Sequence, residues 1–387
     1  MKLTEIIRLE LRALCGCKRP ALLLLFGIPL LYSLLFGTVY SSNVIKYIPA
    51  VIYDQDQTAT SRALIQAYMD SERYQVVAEV TTQEAMEQCL RENQALVAIA
   101  IPPRFAQNIK LGLGSEVLLV TNSANNMFAN TVISSSQEII QTFSAATGQK
   151  LLEAVNQLPA PALRSAAPVK LGVRIINNPT TAYTNFMLAG LMANGVQIAI
   201  LLVAGTLLVK EYGQLDRWQQ TSSAALVTGK LLVCWLGALG AFLTSLGIVT
   251  LVFAVPVRSS PVSLVLIGSA FTFLVVSLSL FFSALAPSEV SALQAPLLYL
   301  MPGLLFSGLS WPQLAMNDLA RFFSALMPLT YLADPLRDLL LAGYSPALLK
   351  NAAILFAGGT FLWLCTIFVF DQRRKKIASQ PAKEVLV

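Results

Sequence analysis

The chain has 387 residues, of which 55% are hydrophobic and only 12% are charged, and its mean hydropathy is +0.63. Soluble domains average roughly 25% charged residues, so this composition excludes an ordinary soluble protein and indicates several membrane spans. The net charge is +6 and histidine is absent. The basic residues gather beside the apolar runs, which is typical of membrane topology signals and disfavours nucleic-acid binding.

Residues 1–20 are predicted to form a cytoplasmic amphipathic helix in the membrane interface. Apolar residues recur on one side at helical spacing, while Lys2, Glu5, Arg8 and Arg12 lie on another. The apolar side consists of Leu3, Ile6, Ile7, Leu11 and Leu14. A signal peptide is the alternative interpretation, but the following apolar run exceeds the usual ~7–15 residues. We therefore expect residues 21–42 to be retained as the first transmembrane helix.

Six segments are long and apolar enough to cross a bilayer as helices. Each has about 20 residues, the length that spans the hydrocarbon core, and none contains Asp, Glu, Lys, Arg or His. The segments are Ala21 to Tyr40, Phe186 to Val209, Leu231 to Val255, Val262 to Leu285, Val290 to Leu309 and Asn351 to Phe370. The predicted fold class is an α-helical polytopic membrane protein, whose helices two to six lie within residues 179–372.

Residues 43–178 are polar enough to fold in water, and we predict an inserted extracytoplasmic α/β domain. Short β-rich runs alternate with helical segments, which is typical of a mixed fold. Strands are predicted at Tyr47 to Tyr53, Tyr74 to Val80, Leu96 to Ile101 and Val117 to Thr121, and helices at Thr58 to Met69, Thr82 to Arg91, Pro103 to Leu111 and Asn125 to Leu158. A Pro-rich stretch at 159–168 and a final strand at 169–175 follow.

Catalytic and metal-binding chemistry has little support in the sequence. Asp54-Gln55-Asp56 lacks the later glycine and glutamate of a calcium loop, so a turn at the end of a strand is favoured. Cys15-x-Cys17 could indicate lipidation or a metal, but there is no histidine and no second cysteine pair to complete a site. We predict no catalytic residue and no metal site.

A polar interruption at 210–230 separates the second and third predicted spans. Four of its charges lie close together, on Lys210, Glu211, Asp216 and Arg217. Gly213 could let the backbone turn, and the Gly229-Lys230 pair stands where the next span is expected to begin. On these residues alone an ordinary solvated loop is an equally good interpretation.

Two further regions carry polar residues in an apolar setting. Asn194 and Gln197 lie about one turn apart in the second span. They are expected either to bond neighbouring helices or to line a substrate pathway. The segment 311–343 is apolar but is interrupted by charges and prolines, so it is predicted to form short re-entrant helices in the outer leaflet.

The order of several short motifs resembles the permease subunits of type-2 ATP-binding-cassette (ABC) exporters. Glu211-x-Gly213 follows the second span, Gly229-Lys230 opens the third, and Asn178-Pro179 precedes the second. Near the C-terminus the order is Ser307-Gly308, Pro312, Pro328, Tyr331, Arg337 and Gly343. The chain departs from the family pattern where Gln214 replaces a threonine and Ala189 a proline. The large domain between spans one and two resembles the longer bacterial efflux permeases.

The resemblance implies roles for these residues. Lys210, Glu211, Gly213, Gly229 and Lys230 would couple the chain to an ATPase subunit. Ser307, Gly308, Pro312, Pro328, Tyr331 and Arg337 would belong to an outer gate. The implied partners are an ABC ATPase, a second permease copy or a paralogue, and the lipid bilayer. A periplasmic adaptor is left open, and no nucleic acid is expected.

The sequence itself offers no energy source for transport. It contains no Gly-x4-Gly-Lys-Ser/Thr motif, and the predicted spans hold no Asp, Glu or His to relay protons. Any transport would therefore use ATP and Mg bound by a partner ATPase, and this chain is expected to bind no cofactor and to have no enzyme activity. The alternative is a non-transporting anchor or receptor whose outer domain binds a ligand or a partner protein.

Basic residues near the span ends predict the orientation. They precede the first span, lie in the loop 210–230 and follow the last span in a basic tail at 373–387. By the positive-inside rule these regions are cytoplasmic, and residues 43–178 are extracytoplasmic. We thus expect the permease subunit of an exporter for a small amphiphilic or drug-like compound, in a bacterial plasma membrane.

Overall fold

The structure is a computed structural model that describes residues 3–16, 21–42, 44–121, 126–154, 176–218 and 221–378. The chain divides into two compact units. Met1–Asn43 and Ile175–Val387 make up the helical unit, and Val44–Arg174 make up the sheet unit. The predicted final strand at 169–175 and the Pro-rich stretch at 159–168 lie outside the described residues.

The sheet unit is built on a four-stranded mixed sheet. Its strands are β1 (Ile48–Asp54), β2 (Tyr74–Val80), β3 (Val97–Ile101) and β4 (Leu118–Thr121), in the order β2-β1-β3-β4. β1 runs parallel to β2 and β3, whereas β3 and β4 are antiparallel. Each strand lies within one residue of its predicted range, because a short, largely apolar run bounded by polar residues marks a strand that is buried by packing on its faces.

Helices cover both faces of this sheet. They are α3 (Ala59–Met69), α4 (Gln83–Arg91), α5 (Phe105–Lys110) and α6 (Asn126–Glu153). On one face Ile48 and Ile52 pack with Leu64 and Val132, and on the other Val51 packs with Met86. Successive residues of a strand point to opposite faces, so β1 is buried on both sides.

The Asp54-Gln55-Asp56 stretch forms a turn at the end of β1. Asp54 Oδ1 accepts the amides of Asp56 (2.9 Å) and Gln57 (3.1 Å), and its Oδ2 accepts the Ser61 hydroxyl (2.7 Å). The Thr58 hydroxyl accepts the Ser61 amide and caps α3. These carboxylate contacts are those of the predicted strand-end turn.

An open groove of about 550 Å³ runs along one face of α6. Ile139 and Phe143 supply apolar walls, and Glu72, Arg73 and Glu138 supply charges.

Burial raises the pKa of Tyr68 in α3 to about 12, so its phenol stays neutral at physiological pH.

The helical unit contains, within the described residues, six helices long and apolar enough to cross a membrane. The prediction of six spans is thus confirmed. The helices of this unit are α1 (Leu3–Cys15), α2 (Ala21–Tyr40), α7 (Tyr183–Ala204), α8 (Ser223–Leu251), α9 (Pro261–Leu285), α10 (Glu289–Leu300), α11 (Gly303–Phe306), α12 (Asp318–Leu326), α13 (Pro328–Leu341) and α14 (Leu348–Ala378). Two 3₁₀ segments, Val209–Trp218 and Gln313–Ala315, connect some of them.

Three predicted span limits need correction. The third span begins at Ser223 and not at Leu231, because Ser222 accepts the Ala225 amide and caps the helix. The fifth is interrupted between α10 and α11, where Pro302 cannot donate a backbone N–H. The last helix continues to Ala378, so the basic tail predicted at 373–387 begins as helix. Hydropathy marks the apolar centre of a helix, whereas capping residues determine its ends.

α9 occupies the centre of the helical unit. It packs against α7, α8, α13 and α14, and its Ile267, Phe271 and Val275 are fully buried. Its buried hydroxyls bond within the helix, as Ser279 Oγ does to the Val275 carbonyl at 2.8 Å. A helix that is buried along most of its length gives neighbouring elements a fixed surface to pack on.

Candidate functional site

The 3₁₀ segment Val209–Trp218, here called the interspan segment, begins where α7 ends. Ser283 near the end of α9 fixes this junction, because its Oγ accepts the amides of Leu208 (3.0 Å) and Val209 (3.1 Å). Ser283 is fully buried. Amides that lose helical partners at the turn are therefore satisfied by a side chain of another span.

A buried lysine joins three elements at this end of the helical unit. Lys230 of α8 places its Nζ 2.7 Å from Glu10 Oε1 of α1 and 2.8 Å from Glu211 Oε1 of the interspan segment. The Lys230 side chain is 3% exposed, and the two carboxylates are 14% and 13% exposed. We call Glu10, Glu211 and Lys230 the charge triad.

The triad holds one negative charge more than positive. The indole N–H of Trp218 donates to Glu211 Oε2, so both oxygens of Glu211 have a donor. Trp218 is itself only 2% exposed. A charge taken out of water needs such partners, because the desolvation of each ion costs several kcal/mol.

Apolar packing brings α1 to this site. Ile6 is fully buried, and a Cβ built on Gly229 would lie 2.6 Å from Ile6 Cγ2. Only a glycine at 229 allows α1 to approach α8 this closely. The Ile6 and Glu10 side of α1 contacts α8, while Leu3 and Leu11 are exposed, and the position of α1 at the membrane surface stays a prediction.

The structure separates the predicted coupling residues. Glu211 and Lys230 contact each other, and Gly229 packs beside them inside α8. Lys210 instead forms a 3.3 Å ion pair with Glu289, and both of these side chains are about half exposed. The predicted loop at 210–230 is thus a 3₁₀ segment followed by the first turns of a span, since a capped helix can begin in polar residues.

Gly213 does not have the conformation expected of it. Its φ is not positive, and a Cβ at this position would meet nothing within 4 Å. The irregular backbone of the interspan segment lies at Gln214 (φ −130°, ψ 29°). In this conformation the backbone at 213 does not require a glycine.

The two polar residues of the second span differ in environment. Asn194 is partly buried. Gln197 is 1% exposed, and its Oε1 has no hydrogen-bond partner among the described residues. Gln197 lies near Gly303 of α11, where a Cβ would be 3.8 Å from its Nε2. Both residues stay candidates for a pathway.

The predicted outer-gate residues lie at the opposite end of the helical unit. Ser307 is buried and donates to the Leu304 carbonyl (2.9 Å), and Gly308 has a φ of +85°. Pro312 precedes the second 3₁₀ segment and Pro328 begins α13. Short helices do form here, as expected of segment 311–343, and their depth in a bilayer stays a prediction.

Tyr331 and Arg337 anchor α13 at this end. The Tyr331 hydroxyl donates to the Ala325 carbonyl (2.7 Å). Arg337 pairs with Asp334, and its guanidinium carbon lies 4.8 Å from the ring centroid of Phe186. Arg337 thus joins α13 to the beginning of α7.

Glu10, Trp218 and Ser283 were not singled out from the sequence. A signal for Glu10 was present, because it lies seven residues after Leu3 and four after Ile6, on the same helical stripe. Glu10 is an acid on the apolar side of α1, and Lys230 is a lysine at the start of an apolar helix. Their opposite charges could have suggested that they pair. Ser283 offered no such signal, since its partners are backbone amides.

The fold defines a multi-pass helical membrane protein. The model of the family described as ABC-2 family transporter protein matches residues 20–368, and the chain belongs to this family. It is therefore the membrane permease component of an ABC transporter and not the ATPase.

The chain is also similar to ABC transporter G family member 20 of Dictyostelium discoideum, with 25% identity over 177 residues. The alignment covers 44% of this chain and 24% of that relative. The chain thus spans about a quarter of the length of this relative.

Proposed function

We propose that this permease exports a small amphiphilic compound, driven by a separate ATPase subunit that contacts the interspan segment and α1. The functional unit would contain two permease chains, and Lys210, Glu211, Gly229 and Lys230 would lie at or beside the ATPase contact. The outer segment 311–343 would close the exit of the pathway, with Asn194 and Gln197 as candidates for its lining.

The charge triad is the observation that carries this proposal. Glu10 and Lys230 are 220 residues apart in the chain, and Glu211 belongs to a third element. A force on either α1 or the interspan segment would reach the span α8 through a buried ion pair. A solvated loop has no such connection, because exposed ion pairs contribute only ~0–1 kcal/mol.

The distribution of basic residues supports the proposed orientation. Both termini and the interspan segment would be cytoplasmic, and the sheet unit would lie outside a bacterial plasma membrane. Arg258 is the one basic residue in the short connection 256–260 between α8 and α9, as expected on the outer side.

Reconstitution with the ATPase tests the function. We expect an ABC ATPase to co-purify with the wild-type chain, and vesicles containing both to move ethidium at the expense of ATP. Glu211→Gln should lower ethidium moved per ATP about tenfold, since a charge-assisted hydrogen bond contributes about 1.5–3 kcal/mol. Glu289→Gln, which changes an exposed ion pair near the same segment, is the matched control.

Two outcomes would contradict the proposal. If no ATPase co-purifies and wild-type vesicles move no ethidium or other amphiphile of a test panel, the anchor or receptor interpretation is preferred. If Glu211→Gln and Glu289→Gln both match the wild type, the triad has no part in coupling.

Thiol labelling tests the orientation. In a Cys89→Ser background, a membrane-impermeant maleimide added to intact spheroplasts should label Ser71→Cys in the sheet unit. It should not label Ser379→Cys until the membrane is opened. Labelling at 379 in intact cells would reverse the proposed topology.

A further inference from the structure

The basic residues at the end of α14 contact the chain on both sides of the interspan segment. Arg373 Nη1 donates to the carbonyls of Ala284 (3.0 Å) and Ala286 (2.6 Å) at the end of α9. Its guanidinium carbon lies 4.4 Å from the ring centroid of Tyr212. Carbonyls at a helix C-terminus lack intrahelical partners and attract a cation, so Arg373 stabilises this helix end.

Arg374 contacts the other end of the interspan segment. Its Nη1 donates to the Thr221 carbonyl (2.7 Å), and its Nη2 donates to the Trp218 carbonyl (2.6 Å). The two nitrogens of one planar group thus bond two carbonyls of the connection between the segment and α8. A lysine carries the same charge but lacks this fork.

Neighbouring contacts tie the same elements together. The Tyr212 hydroxyl donates to the Ala284 carbonyl (2.9 Å), and the Tyr212 ring stacks on Phe370 of α14 at 5.1 Å. The Ser223 hydroxyl at the start of α8 donates to Asp371 Oδ1 (2.8 Å). The beginning of the segment is therefore held by α9 and α14, and its end by α8 and α14.

Lys375 has a different environment in the same turn of the same helix. It pairs with Asp371 at 2.6 Å, four residues earlier, and its side chain is 76% exposed. Arg373 and Arg374 are partly buried. If the tail acted only as a topology signal, these three positive charges would be equivalent.

We infer that Arg373 and Arg374 are positioning residues that clamp the two ends of the interspan segment to the last span. The segment then moves with α14 and with the end of α9, in addition to its ionic link to α8 and α1. The effect of this clamp on coupling rests on the proposed function, whereas its effect on the local order of the segment does not.

Hydrogen exchange measured by mass spectrometry on the full chain in lipid nanodiscs tests the clamp directly. Arg373→Gln and Arg374→Lys should each speed exchange of peptides covering 209–221 about tenfold, as expected when charge-assisted bonds are lost from a local opening unit. Lys375→Gln should exchange at the wild-type rate. Arg374→Lys retains the charge and therefore keeps the topology signal.

The outcomes separate this inference from the proposed function. Wild-type exchange in both Arg373→Gln and Arg374→Lys overturns the clamp, as does an equal change in Lys375→Gln. Faster exchange in the arginine variants supports the clamp even if no ATPase co-purifies. Where ethidium export is measurable, the same two variants should move less ethidium per ATP than Lys375→Gln, and an unchanged ratio would overturn the role in coupling. Should Arg373→Gln fail to give a monodisperse protein, Arg374→Lys decides alone.

Discussion

The two ends of the helical unit use polar residues in different ways. At the end that contains the interspan segment, charges from α1, the segment and α8 meet one another in a buried triad. At the opposite end, charged side chains pair locally or bond backbone carbonyls. Arg337 pairs with Asp334 three residues away, and Arg258 Nη1 donates to the Leu341 carbonyl at 2.8 Å.

This difference predicts how each end responds to substitution. Removing Lys230, the one cation of the triad, leaves two carboxylates buried and uncompensated, so the loss propagates to other elements. At the opposite end the chain path depends on turns such as Gly343, which has a φ of +89°. Backbone changes should matter more there than the loss of a charge.

The largest expected effect is that of Lys230→Met. Two carboxylates would stay buried without a cation, which should lower the free energy of unfolding by about 3–5 kcal/mol. The measurement is the unfolding midpoint of the purified chain in lipid. Lys210→Met is the matched control, because its ion pair with Glu289 is exposed and worth under ~1 kcal/mol.

A triple variant, Lys230→Met with Glu10→Gln and Glu211→Gln, sharpens this test. Removing all three charges should recover much of the lost stability, because no uncompensated charge is left. If the triple variant were no more stable than Lys230→Met, the packing of the side chains, and not their charge, would determine the stability of this end.

Gly229→Val should have the next largest effect. The new side chain would overlap Ile6 and separate α1 from α8, with a loss of about 1–3 kcal/mol, which is typical of overpacking. Gly247→Val in the same helix is the control, since a Cβ there meets nothing within 4 Å. Adding Ile6→Ala to Gly229→Val should restore part of the stability, and absence of rescue would contradict the contact.

Gly343→Ala tests the opposite end. A left-handed backbone costs a residue with a Cβ about 1–2 kcal/mol, and here the Cβ would also lie 3.0 Å from the Arg258 carbonyl oxygen. Gly112→Ala in the sheet unit isolates the backbone cost, because Gly112 has a φ of +71° with open space around it. Equal losses at 112 and 343 would mean that the Arg258 contact adds nothing.

Gly213→Ala should have the smallest effect. The added methyl meets no neighbour, so the free energy of unfolding should stay within about 0.5 kcal/mol of the wild type. The amount of ethidium moved per ATP should equal that of the wild type. Loss of coupling in this variant would show that the segment changes conformation when the ATPase binds.

Much of the fold could be predicted from the sequence, because the apolar residues that become buried follow regular patterns along each helix and strand. The strand at Tyr74–Val80 was predicted with the limits that the structure gives it. Each of the six apolar runs overlaps a candidate span, and only the third and fifth runs extend past its end, to Val255 and Leu309. The predicted limits of helices were wrong where capping residues and prolines determine the helix ends. Ser222 caps α8, which begins eight residues before the apolar run, and Pro302 interrupts the fifth span.

The candidate site was predictable only in part. Family motifs pointed to Glu211, Gly229 and Lys230, but the partner of Lys230 lies 220 residues earlier. Pairing across that distance depends on how α1 packs, which no local pattern specifies. Arg373 and Arg374 were interpreted as topology signals, and their carbonyl partners become visible only when the helices are assembled.

The long separation within the triad also has a consequence for biosynthesis. α1 leaves the ribosome before α8, and Lys230 is made 220 residues after Glu10, which at ~5–20 residues per second is a delay of tens of seconds. During that interval Ile6 and Glu10 have no docking site on the nascent chain. α1 must therefore wait for the third span before its buried contacts with Gly229 and Lys230 can form.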